Sequence, residues 1–312
     1  MSLPVWMPGT RNAAQALAHA ETEQFDSGLR AQRWRLAGEV REVYWLARLA
    51  ETEMDLTRRK VDEAVALAAD VERRLKAGDL ARTDLNQARV AEQLARAALA
   101  ETRARTYRAA QAFTVLTGLK ALPAVTEAVA APVRELDAHP QLAAAGRTVA
   151  AARAKLGQAT VATRDPPEIE LGLRRERGTF GEPYANSVVV GIKVPFATDA
   201  RNRPRIMAAN AEVIEAGAAL MLERQKLAAE IDGATVELEQ AREIEELAAE
   251  RFRLAVDTQN LFAKAFTLGE LDLPARLRAE NERFDAERAL TRARIEAGRA
   301  ISRLNQARGF LP

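Results

Sequence analysis

Pro4, Gly78 and Gly118 recur as Pro195, Gly269 and Gly309, each displaced by 191 positions. In both copies the first glycine follows the proline by 74 residues, and the second glycine lies 40 residues further on. Ordinary residues fall on the same offset. Ala18, Ala20 and Glu21 match Ala209, Ala211 and Glu212; Leu36, Ala37 and Glu39 match Leu227, Ala228 and Glu230; Leu80 and Ala88 match Leu271 and Ala279. A gap-free internal repeat constrains the fold more than any local pattern, because both copies must be the same supersecondary unit.

The unit is helical. From Thr10 to about Lys76 no proline interrupts a run of good helix formers, and Pro204 to about Thr267 reads the same way, which predicts two helices on the order of 100 Å long. In the second, Leu220, Leu227, Ala234, Ala241, Ala248 and Ala255 recur every seven residues, with Ile231, Leu238 and Phe252 on a neighbouring seam. That spacing belongs to supercoiled helices with partners. Aromatics make up only 5% of the chain and alanine dominates the apolar fraction, which suits close helix packing better than a bulky interior. Trp34, Tyr44 and Trp45 are spaced to pack one helix face against another.

Each long helix ends at a glycine turn, Ala77-Gly78-Asp79 and Leu268-Gly269-Glu270, and a second helix starts near Arg82 and Asp272. Glycine suits a left-handed helix stop, and an acid suits the next helix start. Each copy therefore holds a long helical hairpin, its return arm running to about Leu116 or Arg308. The first return arm carries Ala88, Ala91, Ala95 and Ala98 on one side, small enough for close approach. Residues 119–138, with Pro123 and Pro132, read as an irregular connection with a short helix. His139-Pro140 then starts a helix from Gln141 to about Thr163, closed by Asp165-Pro166-Pro167.

Past this breaker the pattern changes from helical to extended. Residues 168–173 alternate polar and apolar, and after a loop over 175–186 a second alternating run places Val188, Val190, Ile192 and Val194 on one face. This β-hairpin, 168–195, has strands close to the nine to eleven residues that cross a bilayer within a barrel. One hairpin cannot cover its own edges and apolar face, so other subunits must supply neighbours. Trp6, Phe180, Tyr184 and Phe196 flank the strands where an interfacial aromatic girdle would lie. Residues 139–194 have no counterpart before Met1, so Ser2 to Trp6 read as the end of a strand whose hairpin, with any export signal, is missing.

The charge balance, 46 bases against 44 acids, gives no electrostatic case for nucleic acid. The chain has no cysteine, and His19 and His139 are its only histidines, so no thiolate or paired-imidazole metal site is expected. His139 reads as a helix-start residue, and Glu243, Glu245, Glu246 and Glu250 as a solvated helix face. No nucleophile triad, nucleotide-binding glycine loop or paired catalytic carboxylate stands out; neither an enzyme nor a cofactor is expected.

The chain resembles the outer-membrane efflux protein family, the TolC-like channels, and within it the CzcC-like heavy-metal and related branches. The resemblance is carried by His139 to Leu142 with Ala151-Ala152-Arg153, the strand-to-helix junction Val190 to Phe196 and its first-copy equivalent Leu3 to Arg11. The turns Arg74 to Leu80 and Phe266 to Leu273, and the close Leu116-Thr117-Gly118, complete it. It implies a mainly α fold of duplicated helical hairpins forming an α-barrel, with strands that join those of two other subunits in one trimeric outer-membrane β-barrel. The domains are then a first repeat 1–118, a linker 119–138 and a second repeat 139–312 whose helical hairpin spans 204–308.

The function so implied is that of an outer-membrane duct, passive, for metal ions or small toxic compounds. Its partners are outer-membrane lipid, a periplasmic adaptor and an inner-membrane pump. The docking tips are expected at Gly78, Asp79, Leu80, Asp84, Gly269, Glu270, Leu271 and Pro274. Carboxylates six and nine residues after the second-copy glycine can ring the closed aperture in this family; here those positions are Ala275 and Arg278, leaving Asp84 and Arg278 as gate candidates. A soluble coiled-coil scaffold would leave the β-hairpin without a purpose. A periplasmic adaptor normally bears its helical hairpin once.

Overall fold

A computed structural model describes the chain except residues 1, 5, 6, 125, 126, 132–134, 163–166, 182, 197 and 198, and except the side chains of 2, 4 and 199–201. Trp6, Pro132, Asp165 and Pro166 lie outside the described residues. The elements in order are β1 (Ser2–Pro4), α1 (Thr10–Ala77), α2 (Arg82–Thr117), a single 3-10 turn at Leu136–Ala138, α3 (Pro140–Val161), β2 (Glu168–Glu176), β3 (Ala185–Lys193), α4 (Asp199–Thr267) and α5 (Leu273–Ala307).

The repeat is visible in the backbone. Gly78 and Gly269 adopt φ of +90° and +78°, and Gly118 and Gly309 +75° and +84°, so each matched glycine sits in the left-handed region. The turn hydrogen bonds match too. Gly78 N donates to Leu75 O and Asp79 N to Arg74 O, while Gly269 N donates to Phe266 O and Glu270 N to Ala265 O. This is the glycine-closed helix end that satisfies the last carbonyls.

Three expectations need correction. α4 starts at Asp199, with Pro204 inside it. A proline this close to a helix start forfeits one hydrogen bond to the first turn, a smaller loss than in the middle of a helix. The strands are longer at the hairpin end than the alternation suggested, reaching Glu176 and starting at Ala185, because backbone pairing continues past the apolar residues. Val194 falls one residue beyond β3, next to Pro195, which has no N–H for a ladder.

The chain divides into two compact units, residues 1–33 with 133–228 and residues 34–132 with 229–312, each drawing on both repeats. In the first unit α3 packs through Leu142, Val149 and Ala151, all buried, and Ala209 and Leu227 of α4 are buried as well. Arg147 pairs with Glu23 at 2.6 Å and Lys155 with Glu212 at 2.7 Å. His139 caps α3: its Nδ1 accepts from Gln141 N at 3.2 Å, and Pro140 supplies the preset φ of a first helical residue.

In the second unit the heptad seam faces the core, with Ala241 partly buried. Ala234, Leu238, Ala248 and Ala255 are buried, and Ala234 and Leu238 cluster with Ala300, Leu304 and Ala307 of α5. Trp34 and Trp45 of α1 are buried too, donating from Nε1 to Gln306 O and to Ser302 Oγ, each at 2.9 Å. On α2, Ala88 and Ala95 are buried, the close-packing face expected of them.

Candidate functional site

The sheet order is β1-β2-β3, antiparallel throughout. Register decides which residues share a face, since directly opposed residues point the same way. Leu3 opposes Ile169, Ile169 opposes Ile192, Leu171 opposes Val190 and Leu173 opposes Val188. These seven residues form one continuous apolar stretch of that face, and all seven are exposed; Leu173 is 86% exposed and Ile192 73%. The other face alternates with it and carries Glu168, Glu170, Arg174 and Glu176 opposite Lys193, Gly191, Ser187 and Ala185.

Burying one apolar face while wetting the other is the requirement on a strand in a membrane barrel. Nine residues at ~3.4 Å each give about 30 Å of strand, enough for the apolar band of an outer membrane when tilted. Of the expected membrane residues, Val188, Val190 and Ile192 lie on this face within β3, and Val194 comes just after it. Phe180 and Phe196 are almost fully exposed and Tyr184 is half exposed, as girdle positions would be. No helix among the described residues is long and apolar enough to cross a membrane.

The two helix tips meet in one apolar cluster. Leu67, Val71, Leu85 and Ala88 of the first copy pack with Phe266 and Leu273 of the second, and Leu75, Leu80, Leu271 and Leu277 close around them. Arg74 and Arg276 stack on the buried Phe266 ring, at 5.1 and 4.9 Å from its centroid. Of the expected docking residues, Gly78, Asp79, Gly269 and Glu270 are exposed, whereas Leu80, Asp84, Leu271 and Pro274 are partly buried.

Two carboxylates here serve helix starts. Asp84 Oδ2 accepts from Ala81 N and Asp272 Oδ1 accepts from Ala275 N, both at 2.9 Å. Each copy thus keeps one capping acid, at the third helical position in one and at the cap itself in the other. This ties the gate candidate Asp84 to its own backbone. Arg278 is exposed on α5.

Between α1 and α5 runs a ladder of ion pairs that joins the repeats. Arg303 pairs with Glu42 at 3.0 Å, Arg292 with Glu53 at 2.7 Å and Arg59 with Glu287 at 2.8 Å, and Arg299 with Glu42 and Arg283 with Glu63 add two more rungs. Burial alone would raise the Glu42 pKa, but hydrogen bonds from Arg299 and Arg303 carry it below the ordinary carboxylate value. Burial lowers the pKa of Lys60, whose ammonium lies 4.0 Å over the Phe284 ring.

Sequence reasoning missed two arrangements. Arg41, buried, binds Glu127 at 2.8 Å, and Asn305 donates to Glu127 and Ala128 O, so the connection after α2 is strapped to α1 and α5. Long-range pairs of this kind leave no periodic trace. The second is a cluster of arginines beside Tyr184, whose signal, basic residues two apart where the apolar alternation ends, was available in the sequence.

No protein-family model matches the chain. Over 223 residues it is 30% identical to the cobalt-zinc-cadmium resistance protein CzcC of Cupriavidus metallidurans, a match taking in 67% of this chain and 52% of the relative. The chain spans about half the length of the curated relative it matches. Among solved structures, the outer membrane protein VceC of Vibrio cholerae superposes with a TM-score of 0.81 at 16% identity, over 99% of this chain and 78% of its own. The open state of the MtrE outer membrane channel of Neisseria gonorrhoeae does so with a TM-score of 0.78 at 20% identity, over 99% and 73%. At those identities the likeness is one of fold. The expected mainly α fold of long helical hairpins with a short β-hairpin is borne out, and so is the resemblance to outer-membrane efflux proteins.

Proposed function

We propose that this chain, which has the fold of the outer-membrane efflux channels, is the outer-membrane subunit of a tripartite efflux system. The observation that carries the reading is the exposed apolar face from Leu3 to Ile192, set on a sheet that leads into duplicated helical hairpins. Such a face left in water would cost roughly 25 cal/mol for every Å² exposed, and lipid removes that cost. Three copies close the barrel, because an open three-stranded sheet would leave backbone groups unpaired in hydrocarbon. The duct is passive and catalyses no reaction.

The exposed turn residues Gly78, Asp79, Gly269 and Glu270 form the surface offered to a periplasmic adaptor, which links the duct to an inner-membrane pump. Similarity to a cobalt-zinc-cadmium resistance protein supports divalent metal ions as cargo; small toxic compounds are the second candidate. Fractionation of cells expressing the chain behind an export signal tests the assignment. A heat-resistant trimer in the outer-membrane fraction is expected. A soluble, fully helical monomer would overturn it.

A further inference from the structure

The apolar face of the sheet ends in a basic cluster. By the β2–β3 register the pair after Leu173 and Val188 on this face is Arg175 and Asn186, and continuing the same alternation brings Arg177 and Tyr184 to that side. Arg175 lies 4.3 Å over the Tyr184 ring; Arg177 lies 5.4 Å from that ring and 5.2 Å from Phe180. Arg177 Nε also donates to Thr179 O at 3.1 Å, which fixes the guanidinium against the turn. Both arginines are exposed.

Charge pairing on this side differs from that on the other face. Arg174, on the polar face, forms an ion pair with Glu176. Among the described residues neither Arg175 nor Arg177 has a carboxylate within ion-pair distance, although salt bridges are frequent along the rest of the chain. Two guanidinium groups held by aromatic rings, with no ion-pair partner among the described residues and placed just beyond a lipid-facing surface, are matched to anionic oxygens at headgroup depth. Guanidinium binds phosphate through paired N–H donors, and stacking on an aromatic face leaves its edges open for that purpose.

We propose that Arg175 and Arg177, oriented by Tyr184 and Phe180, bind the phosphate of a membrane lipid in the leaflet that receives the hairpin turn. This rests on the barrel reading of β2 and β3. Since the strands leave and rejoin the helices at their opposite ends, the turn lies on the side of the membrane away from the helices. In an outer membrane that leaflet offers phosphorylated glycolipid.

The purified full-length trimer in neutral detergent is incubated with fluorescent lipid A, and retained lipid is measured after gel filtration, for the wild type and for R175Q/R177Q. Lipid A stripped of its phosphates and free inorganic phosphate serve as the comparison and the competitor. At least tenfold loss of retention in the variant, equal loss on dephosphorylation, and no competition by millimolar inorganic phosphate are expected. Retention unchanged in the variant, or equal for the dephosphorylated lipid, would overturn the assignment, and so would full displacement by inorganic phosphate. Outer-membrane fractionation of the same two proteins separates the levels. If the wild type is absent from that fraction, the barrel reading falls and this site with it; if both proteins are present and retain lipid equally, only the site falls.

Discussion

Gly298 on α5 faces Trp45 on α1 so closely that a Cβ there would lie 2.4, 2.9 and 3.1 Å from three ring atoms. The ring is buried and tethered, donating to the buried Ser302 hydroxyl at 2.9 Å and meeting Tyr44 edge-on at 5.1 Å. In Gly298→Ala the added methyl gains up to about 1 kcal/mol of helix propensity. Against this stand about 1–3 kcal/mol for overpacking and about 1 kcal/mol for a strained or lost hydrogen bond. The net expectation is a loss of roughly 1–3 kcal/mol. Far-ultraviolet circular dichroism on the solubilised protein reads it as a lowered melting temperature, with a change in the near-ultraviolet tryptophan signal. Gly233→Ala, with nothing within 4 Å of the new methyl, is the control and should be neutral or stabilising. Trp45→Leu should relieve the clash, so that Gly298→Ala costs at least about 1 kcal/mol less in that background. A Gly298→Ala protein that melts at or above the wild type would show that α1 and α5 do not approach as described.

On the sheet, Val190→Arg should cost about 2–4 kcal/mol and deplete outer-membrane trimer, while Val189→Arg, on the polar face, should be tolerated; quantifying heat-resistant trimer in membrane fractions compares them. Gly78→Ala and Gly269→Ala should each cost about 1–2 kcal/mol, and by similar amounts, because both need positive φ and neither meets an atom within 4 Å; thermal melts decide it. Glu42→Gln should destabilise at neutral pH. A carboxylate whose folded pKa is depressed contributes stability that is present above its unfolded pKa and lost as pH falls through the folded value, so melting curves of the two proteins should converge in acid.

Much of this fold was legible in the sequence because its determinants are local or periodic. Gly78 and Gly269 announced both hairpin tips, since glycine readily takes the left-handed conformation that stops a helix. The seven-residue spacing from Leu227 to Ala255 named the buried seam of α4. The two-residue alternation found the apolar side of β3, yet stopped short of Glu176 and Ala185, because backbone pairing outlasts the hydrophobic signal. Pro204 misplaced the start of α4, as a proline near a helix start and one that precedes it read alike. Asp84 drew attention as an acid near the tip, but its bond to Ala81 N depends on backbone geometry that spacing does not reveal. The Arg299–Glu42 and Arg41–Glu127 pairs join residues far apart in sequence, and interspersed charges point to no particular partner.

Because the chain contains no cysteine, single cysteines can be placed one at a time from Ser187 to Ile192 and probed in outer-membrane vesicles with a membrane-impermeant maleimide. Val188→Cys, Val190→Cys and Ile192→Cys should resist labelling, while Ser187→Cys, Val189→Cys and Gly191→Cys react, a period of two along β3. Uniform labelling of all six positions would mean that this sheet has no lipid-covered face and that the chain builds no barrel wall.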